Sequence, residues 1–330
     1  MDDSSIPSET NCSTHTSADG VELATQFEPA SDPDTVCFGD NLDLLALIPD
    51  GSIPLIYIDP PFNTGRTQSR TRLRTVRDPD GDRTGFQGRP YRTTRLSTHA
   101  YGDSFDDYLA FLEPRLREAY RVLAANGTLY LHLDYREVHY AKVMLDEIFG
   151  RASFLNEIIW AYDFGGRARN RWPAKHDNIL VYVKSPRQYV FNTDAIDRVP
   201  YLAPGLVGPE KAARGKLPTD TWWQTIVSTN GRERTGYPTQ KPLLILRRII
   251  QASSNPGDLV LDFFAGSGTA GVAARELGRR FLLFDNNPDA ISVMRQRFAA
   301  YEDVRFLRYD RRTESNGSDE EGDIRDPGRD

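Results

Sequence analysis

Between Leu259 and Leu277 a short apolar run, Leu259 to Phe263, breaks at Ala265-Gly266-Ser267-Gly268 and passes at once into a helix-forming stretch. A buried strand delivered straight into a helix by a glycine turn is the unit from which open α/β sheets are built. The same alternation surrounds it. Pro242 to Ala252 reads as a helix before the turn, Arg280 to Phe284 as a strand after it, and a last helix runs to about Tyr301. No internal repeat is found, so the chain is a doubly wound α/β protein rather than a solenoid.

The amino-terminal half repeats the pattern. Thr35 to Phe38 is a strand candidate, Asn41 a candidate N-cap, and Leu42, Leu45 and Ile48 recur at helical spacing. Ile53 to Ile58 reads as a buried strand that stops at Asp59-Pro60-Pro61, because prolines lack the donor an inner strand needs. Whatever follows Ile58 therefore sits at a strand's carboxyl end, the rim where open α/β sheets bind ligands. Helices are expected over about 105–123 and Val138 to Phe149, the second stopped by Gly150, with a strand from Gly127 to Leu133 between them. Glu157 to Tyr162 and Asn178 to Val183 read as two further strands.

Two stretches break the rhythm. Residues 64–100 hold nine arginines and few large aliphatics, and they read as a long loop. Residues 163–235 lose periodicity and begin with the basic run Arg167-Ala-Arg169-Asn-Arg171-Trp172. A chain of 330 residues has room for one catalytic domain carrying such an insert.

The formal net charge of −6 misleads until it is divided along the chain. Residues 1–34 hold eight acids and no Lys or Arg, and residues 313–330 hold seven acids against two arginines. Removing both leaves 32 of the 47 acids and 39 of the 41 bases, so the body carries about +7 and suits a polyanionic partner. Both ends are polar enough to be expected as disordered acidic tails. The expected units are 1–34 as a tail, 35–162 as a catalytic half, 163–235 as a recognition region, 236–312 as a cofactor half and 313–330 as a tail. No apolar run is long enough to span a bilayer and the first thirty residues lack a signal-peptide pattern, so a cytoplasmic location without membrane contact is expected. Cys12 and Cys37 form neither a disulfide framework nor a zinc cluster. His132, His139 and His176 lack metal-ligand spacing, so no metal site is expected and they read as core or surface histidines.

Gly266-Ser-Gly268-Thr-Ala-Gly271 lets the backbone pass close to a ligand, and it satisfies two ligand readings. With Asp285 after the next strand it matches the dinucleotide fingerprint. Asp262 just before the turn favours S-adenosylmethionine, which has no phosphate and needs acidic partners for its ammonium and ribose hydroxyls, and a purely structural turn is a third reading. The turn by itself leaves all three open.

Asp59-Pro60-Pro61-Phe62 carries a more specific chemistry. An exocyclic amine on a nucleobase delocalises its lone pair into the ring and attacks a sulfonium methyl only when acceptors hold its N–H groups. The Asp59 carboxylate and the Pro60 carbonyl supply two acceptors, and consecutive prolines fix that carbonyl in place. Phe62 offers a ring for a base to stack on, once the base has left its duplex.

These residues, with Tyr237-Pro238-Thr239-Gln240-Lys241-Pro242 and Asp262-Phe-Phe-Ala-Gly-Ser-Gly-Thr269, resemble in order the motifs of β-class amino-DNA methyltransferases over about 35–310. The resemblance implies a circularly permuted Rossmann-like class I methyltransferase fold with a seven-stranded, mostly parallel sheet and an inserted recognition region. It implies transfer of a methyl group from S-adenosylmethionine to N6 of adenine in double-stranded DNA; an Asp at the first motif position leans to adenine over the N4 of cytosine. Asp262, Phe264, Gly266, Ser267, Gly268 and Thr269 would cradle the cofactor, Asp285 would hold its ribose, and Asp40 would approach its adenine end. Thr239 and Lys241 would close the methionine end. Arg167, Arg169 and Arg171 are expected DNA contacts, and Tyr130, His132 and Asp134 are expected to line the target pocket. A second copy of the chain and a cognate restriction nuclease are partners the resemblance allows. The pair Trp222-Trp223 reads as packing under a loop.

Overall fold

The computed structural model describes residues 14–16, 22–77, 83–84, 90–103, 105–165, 167–228 and 231–310. Its strands in chain order are β1 (Thr14–Thr16), β2 (Glu22–Ala24), β3 (Thr35–Phe38), β4 (Ile53–Ile58), β5 (Arg66–Arg77), β6 (Arg83–Thr84), β7 (Pro90–Asp103), β8 (Leu123–Leu133), β9 (Phe154–Ala161), β10 (His176–Val183), β11 (Thr221–Trp223), β12 (Leu259–Asp262), β13 (Arg280–Asp285) and β14 (Arg305–Arg308). Its α-helices are α1 (Asn41–Ala46), α2 (Tyr108–Val122), α3 (Val138–Phe149), α4 (Pro209–Arg214), α5 (Leu243–Ser253), α6 (Thr269–Glu276) and α7 (Pro288–Arg297).

One sheet organises the molecule, in the order β1-β2-β14-β3-β13-β12-β4-β8-β10-β9-β11. From β14 to β8 every pairing is parallel, and β10 runs antiparallel to both of its neighbours. The expected sheet has seven strands. The run β3-β13-β12-β4-β8-β10-β9 supplies that number, and four more strands extend its two edges to eleven.

Both faces of the sheet are covered, so inner strands read as continuous apolar runs and their side chains divide by period two. Ile56 and Ile58 of β4, Leu129, Leu131 and Leu133 of β8, and Leu282 and Phe284 of β13 pack with Leu44, Leu112, Leu116 and Leu145 of α1, α2 and α3. The alternate set, Leu55, Tyr57, Tyr130, Val260, Phe281 and Leu283, packs with Ile245, Leu246, Ala270, Ala273 and Met294 of α5, α6 and α7. Gly150 ends α3 with φ +84°, a conformation that favours glycine. Asp40, not Asn41, caps α1, its carboxylate accepting from the Leu42 N–H at 2.9 Å.

Three boundaries differ from the sequence reading. Residues 22–34 belong to the fold rather than to a tail: β2 pairs with β14, Phe27 is buried and the Asp34 carboxylate accepts from Arg275 and from the Phe281 N–H. The expectations for residues 1–13, 17–21 and 311–330 lie outside the described residues. The described residues of the 64–100 stretch form strands rather than a loop: β5 pairs with β7 from Arg66↔Asp103 to Arg77↔Tyr91 and β6 completes a separate three-stranded sheet. Alternation of Thr and Ser with Arg gives these strands no apolar period by which a sequence could mark them. Finally, β10 stands inside the main sheet although it falls within 163–235. The insert proper is therefore the β9–β10 loop together with residues 184–220.

The hairpin is tied to the main body where it leaves it. Buried Asp103 accepts from the Asn63 N–H at 2.6 Å and from the Thr64 hydroxyl at 2.5 Å. Asn63, in the left-handed region at φ +54°, also donates to Glu137.

Candidate active site

The parallel strands end on one rim, and there the separated motifs meet. Asp59 follows β4, Asp262 ends β12, Asp285 ends β13, and Tyr237 to Lys241 lead into α5. Together they line a cavity of about 290 Å3 with Asn41, Tyr57, Phe105, Phe111, Arg115, Phe264, Gly266, Ser267 and Thr269. A second, wider cavity of about 860 Å3 adjoins it. Its walls include Phe62, Asp134, Tyr135, Trp160, Tyr162, Arg171, Trp172 and Asp177, and it shares Pro238 to Lys241 with the first.

Asp59 lines the first cavity beside Lys241, which lines both. The Lys241 ammonium donates to its Oδ2, and both side chains are largely buried, 15% and 9% exposed. Lys241 Nζ also donates to the Thr239 carbonyl at 3.4 Å and stands 4.9 Å from the centre of the Phe62 ring. The other carboxylate oxygen, Oδ1, is buried without a hydrogen-bond partner. His132 Nδ1 stands 4.0 Å from it, too far for a hydrogen bond. An unsatisfied buried acceptor is costly and calls for an explanation.

Beneath Asp59 runs a network that the motifs did not reveal. His132, fully buried, shares Nδ1 with the Tyr57 hydroxyl at 2.9 Å and pairs through Nε2 with Asp177 Oδ2 at 3.2 Å. The Tyr162 hydroxyl donates to Asp177 Oδ1 at 2.9 Å. Burial pushes the Asp177 carboxyl up, but its bonds to His132 and Tyr162 and the charge of Lys241 outweigh that and hold it below the usual carboxylate range. Asp177 stands at the polar start of β10, between His176 and Asn178 and just before the apolar run, so little in the sequence signals its burial. Tyr130, expected in the target pocket, lines neither cavity and bonds Ser253 at 2.7 Å. Two residues apart on β8, Tyr130 and His132 share one face of the sheet, but Tyr130 is further from the rim and ends under α5.

The first cavity is acidic. Asp262 is buried and held well above the ordinary carboxylate range by that burial, against one N–H from Phe264 at 3.0 Å. Burial also pushes Asp285 up to about 6, opposed by the N–H groups of Asn287 at 2.8 Å and Gly266 at 2.7 Å. Arg115 and Lys241 are the cations on its wall, yet Asp40, Asn41 and the Phe111 carbonyl already engage the first and Asp59 the second. A pyrophosphate would meet three carboxylates here, whereas the ammonium, sulfonium and ribose hydroxyls of S-adenosylmethionine suit them.

Two expected contributors have other duties. Asp40 does not line the cavity, since its carboxylate caps α1 and pairs with Arg115 at 3.2 Å; Asn41 and Arg115 line that end instead. Gly268 does not line it either. At φ +71° it starts α6, and a Cβ there would come within 2.9 Å of Met294, so the requirement for glycine comes from packing on α7. Gly266, at φ +51°, is the glycine on the cavity wall. Pro60 is buried, and Phe62 faces the wider cavity. Arg167, Arg169 and Arg171 are exposed on the β9–β10 loop, and Arg171 borders the wider cavity. The tryptophan pair divides: Trp222 is buried and bonds the Thr219 carbonyl, while Trp223 is 78% exposed.

The doubly wound sheet puts its ligand cavity at the switch between β12 and β4, where open α/β sheets bind ligands, and its fold is that of the class I methyltransferases, whose cofactor is S-adenosylmethionine. The fold matches that of the M1.HpyAVI–SAM complex at 21% identity, covering 80% of this chain and 98% of that one with a TM-score of 0.51. The N6/N4 DNA methylase family matches residues 53–296. Over 249 residues the chain is 33% identical to the type II methyltransferase M.HpaI of Haemophilus parainfluenzae, spanning 75% of this chain and 68% of that protein. It is 30% identical over 287 residues to the DNA adenine methyltransferase YhdJ of Escherichia coli K12, spanning 82% and 85%. The chain belongs to the N6/N4 DNA methyltransferase family and acts on DNA. Among the described residues no helix is long and apolar enough to cross a membrane, and no cluster of His, Cys, Asp and Glu is suited to a metal.

Proposed function

We propose that this protein methylates N6 of adenine in duplex DNA, with Asp59 as the residue that holds the target amine. The observation that carries the reading is the division of labour on one carboxylate. Oδ2 is anchored by Lys241, which lines both cavities, and Oδ1 is a buried acceptor with no protein partner on a residue that lines the first. An amino N–H arriving from the wider cavity would satisfy it, and the Pro60 carbonyl would take the second N–H. Held in this way, the nitrogen keeps its lone pair for attack. Phe62 and Trp160 give the base apolar walls.

S-adenosylmethionine supplies the electrophilic methyl group. Asp262, Phe264, Gly266, Ser267 and Thr269 would hold it, with Asp285 on the ribose and Thr239 and Lys241 closing the methionine end between the cavities. Gly268 contributes by letting α6 start close to α7. Arg167, Arg169 and Arg171 would bind phosphates. Adenine is favoured by Asp at the first motif position and by the named activity of the Escherichia coli relative.

The test is methyl transfer to duplex DNA by wild type and by Asp59→Ala, with mass analysis of the product nucleosides and a methylome map for the recognised site. Transfer should be abolished in Asp59→Ala while cofactor affinity falls little. Comparable activity in the variant would remove Asp59 from the mechanism. N4-methylcytosine without N6-methyladenine would overturn the adenine reading alone.

A further inference from the structure

Trp172 lies on the loop between β9 and β10 and is 95% exposed. A tryptophan buries about 150–250 Å2 when covered, so leaving one in solvent forgoes a large apolar contribution. Its surroundings indicate what covers it. Arg167, Arg169 and Arg171 are exposed on the same loop, an arrangement complementary to a polyanion. Trp172 and Phe164, itself 59% exposed, stand at the wall of the wider cavity, which leads inward to Phe62 and to Lys241 on Asp59. The cavity is large enough to take a base, and a base can reach it only by leaving its stack. The vacated place in the duplex is a slot with two aromatic faces, which an apolar side chain can enter.

We infer that Trp172 fills the gap left by the target nucleotide, stacking on the neighbouring bases while Arg167, Arg169 and Arg171 hold the flanking phosphates. The inference rests on the reading that the target base enters the cavity beside Asp59. It assigns the loop a duty beyond charge: the arginines bring the duplex to the cavity mouth, and the indole stabilises the opened state.

The experiment uses the full chain and duplexes carrying the mapped site, with a fluorescent analogue at the target position, 2-aminopurine for adenine or pyrrolocytosine for cytosine. Wild type and Asp59→Ala should both raise the fluorescence, since opening does not need the catalytic carboxylate. Trp172→Ala should lose most of that rise, and its single-turnover methylation of the matched duplex should fall about tenfold to a hundredfold, the range of base–aromatic stacking. Trp172→Phe should recover much of the loss. When the target base is mispaired, opening costs less, and Trp172→Ala should come within about threefold of wild type. A loss of equal size on matched and mispaired duplexes would show that Trp172 acts otherwise and overturn the inference. So would a full fluorescence rise in Trp172→Ala, or its loss in Phe164→Ala alone. A wild type that methylates without any rise would instead refute base opening into the cavity, and Asp59→Ala retaining activity would refute the reading beneath it.

Discussion

Lys241→Met removes the ammonium from Asp59 while keeping most of the side chain's length, and it tests whether the carboxylate is held in place by that one partner. Breaking a buried ion pair from one side costs about 3–5 kcal/mol when both groups are fully withdrawn from water. Here the side chains are 9% and 15% exposed, Asp59 lines one open cavity and Lys241 lines two, so roughly 2 kcal/mol is the better figure. At about 2–4 °C per kcal/mol for a large domain, the melting temperature should fall by roughly 4–8 °C. Methyl transfer should drop at least tenfold, because a carboxylate without its anchor is free to turn Oδ1 away from the amine. The double variant Lys241→Met with Asp59→Asn leaves no charge unpaired, so it should regain most of the melting temperature but none of the activity. Scanning calorimetry and single-turnover methylation of one preparation read both quantities. If Lys241→Met melts with wild type, or the double variant melts as the sum of its parts, the two residues are not coupled and the argument fails.

The cofactor cavity and the hairpin give further expectations. Asp285→Ala should weaken S-adenosylmethionine binding by about tenfold to a hundredfold in isothermal titration, roughly 1.5–3 kcal/mol for charge-assisted hydrogen bonds to ribose. Burial raises the Asp285 carboxyl to about 6, so it is protonated below that pH; cofactor affinity of the wild type should fall as pH drops through 6, and Asp285→Asn should flatten the dependence. Its effect on stability runs the other way: with a folded pKa above the ordinary value of 3.8, its contribution is full below that value and is lost as pH rises through 6. Deleting residues 68–95 should spare the melt and cofactor binding, because β5, β6 and β7 share no hydrogen-bonded ladder with the main sheet. DNA affinity should fall, and the slope of log affinity against log salt should lessen by about 0.9 for each phosphate that the shortened chain no longer neutralises. An unaltered slope would leave DNA binding to the insert that carries Arg167, Arg169 and Arg171.

Much of the fold could be read from linear pattern, because inner parallel strands are buried on both faces and announce themselves as apolar runs ending in glycine or proline. β4 stopping at Asp59-Pro60 and β12 entering the turn at Gly266 are of this kind, and Gly150 marks the end of α3 as plainly. The chemistry was legible for a similar reason: a carboxylate followed by two prolines and an aromatic ring is an unusual local demand. Only the tertiary structure decided the rest. β2 and β14 lie towards one edge of the sheet and are too short to show a period, and β5 and β7 satisfy their backbones by pairing with each other rather than by apolar content. The Lys241–Asp59 pair spans 182 positions, and His132 reaches Asp177 across 45. Contacts at such separations leave no spacing to read, since the sheet order, not the chain order, sets which strand ends are neighbours. Gly268 and Asp40 make the same point in reverse. The sequence marked both as special, but whether a glycine makes room for a ligand or a helix, and whether a carboxylate meets a cofactor or a cap, depends on what the fold places against it.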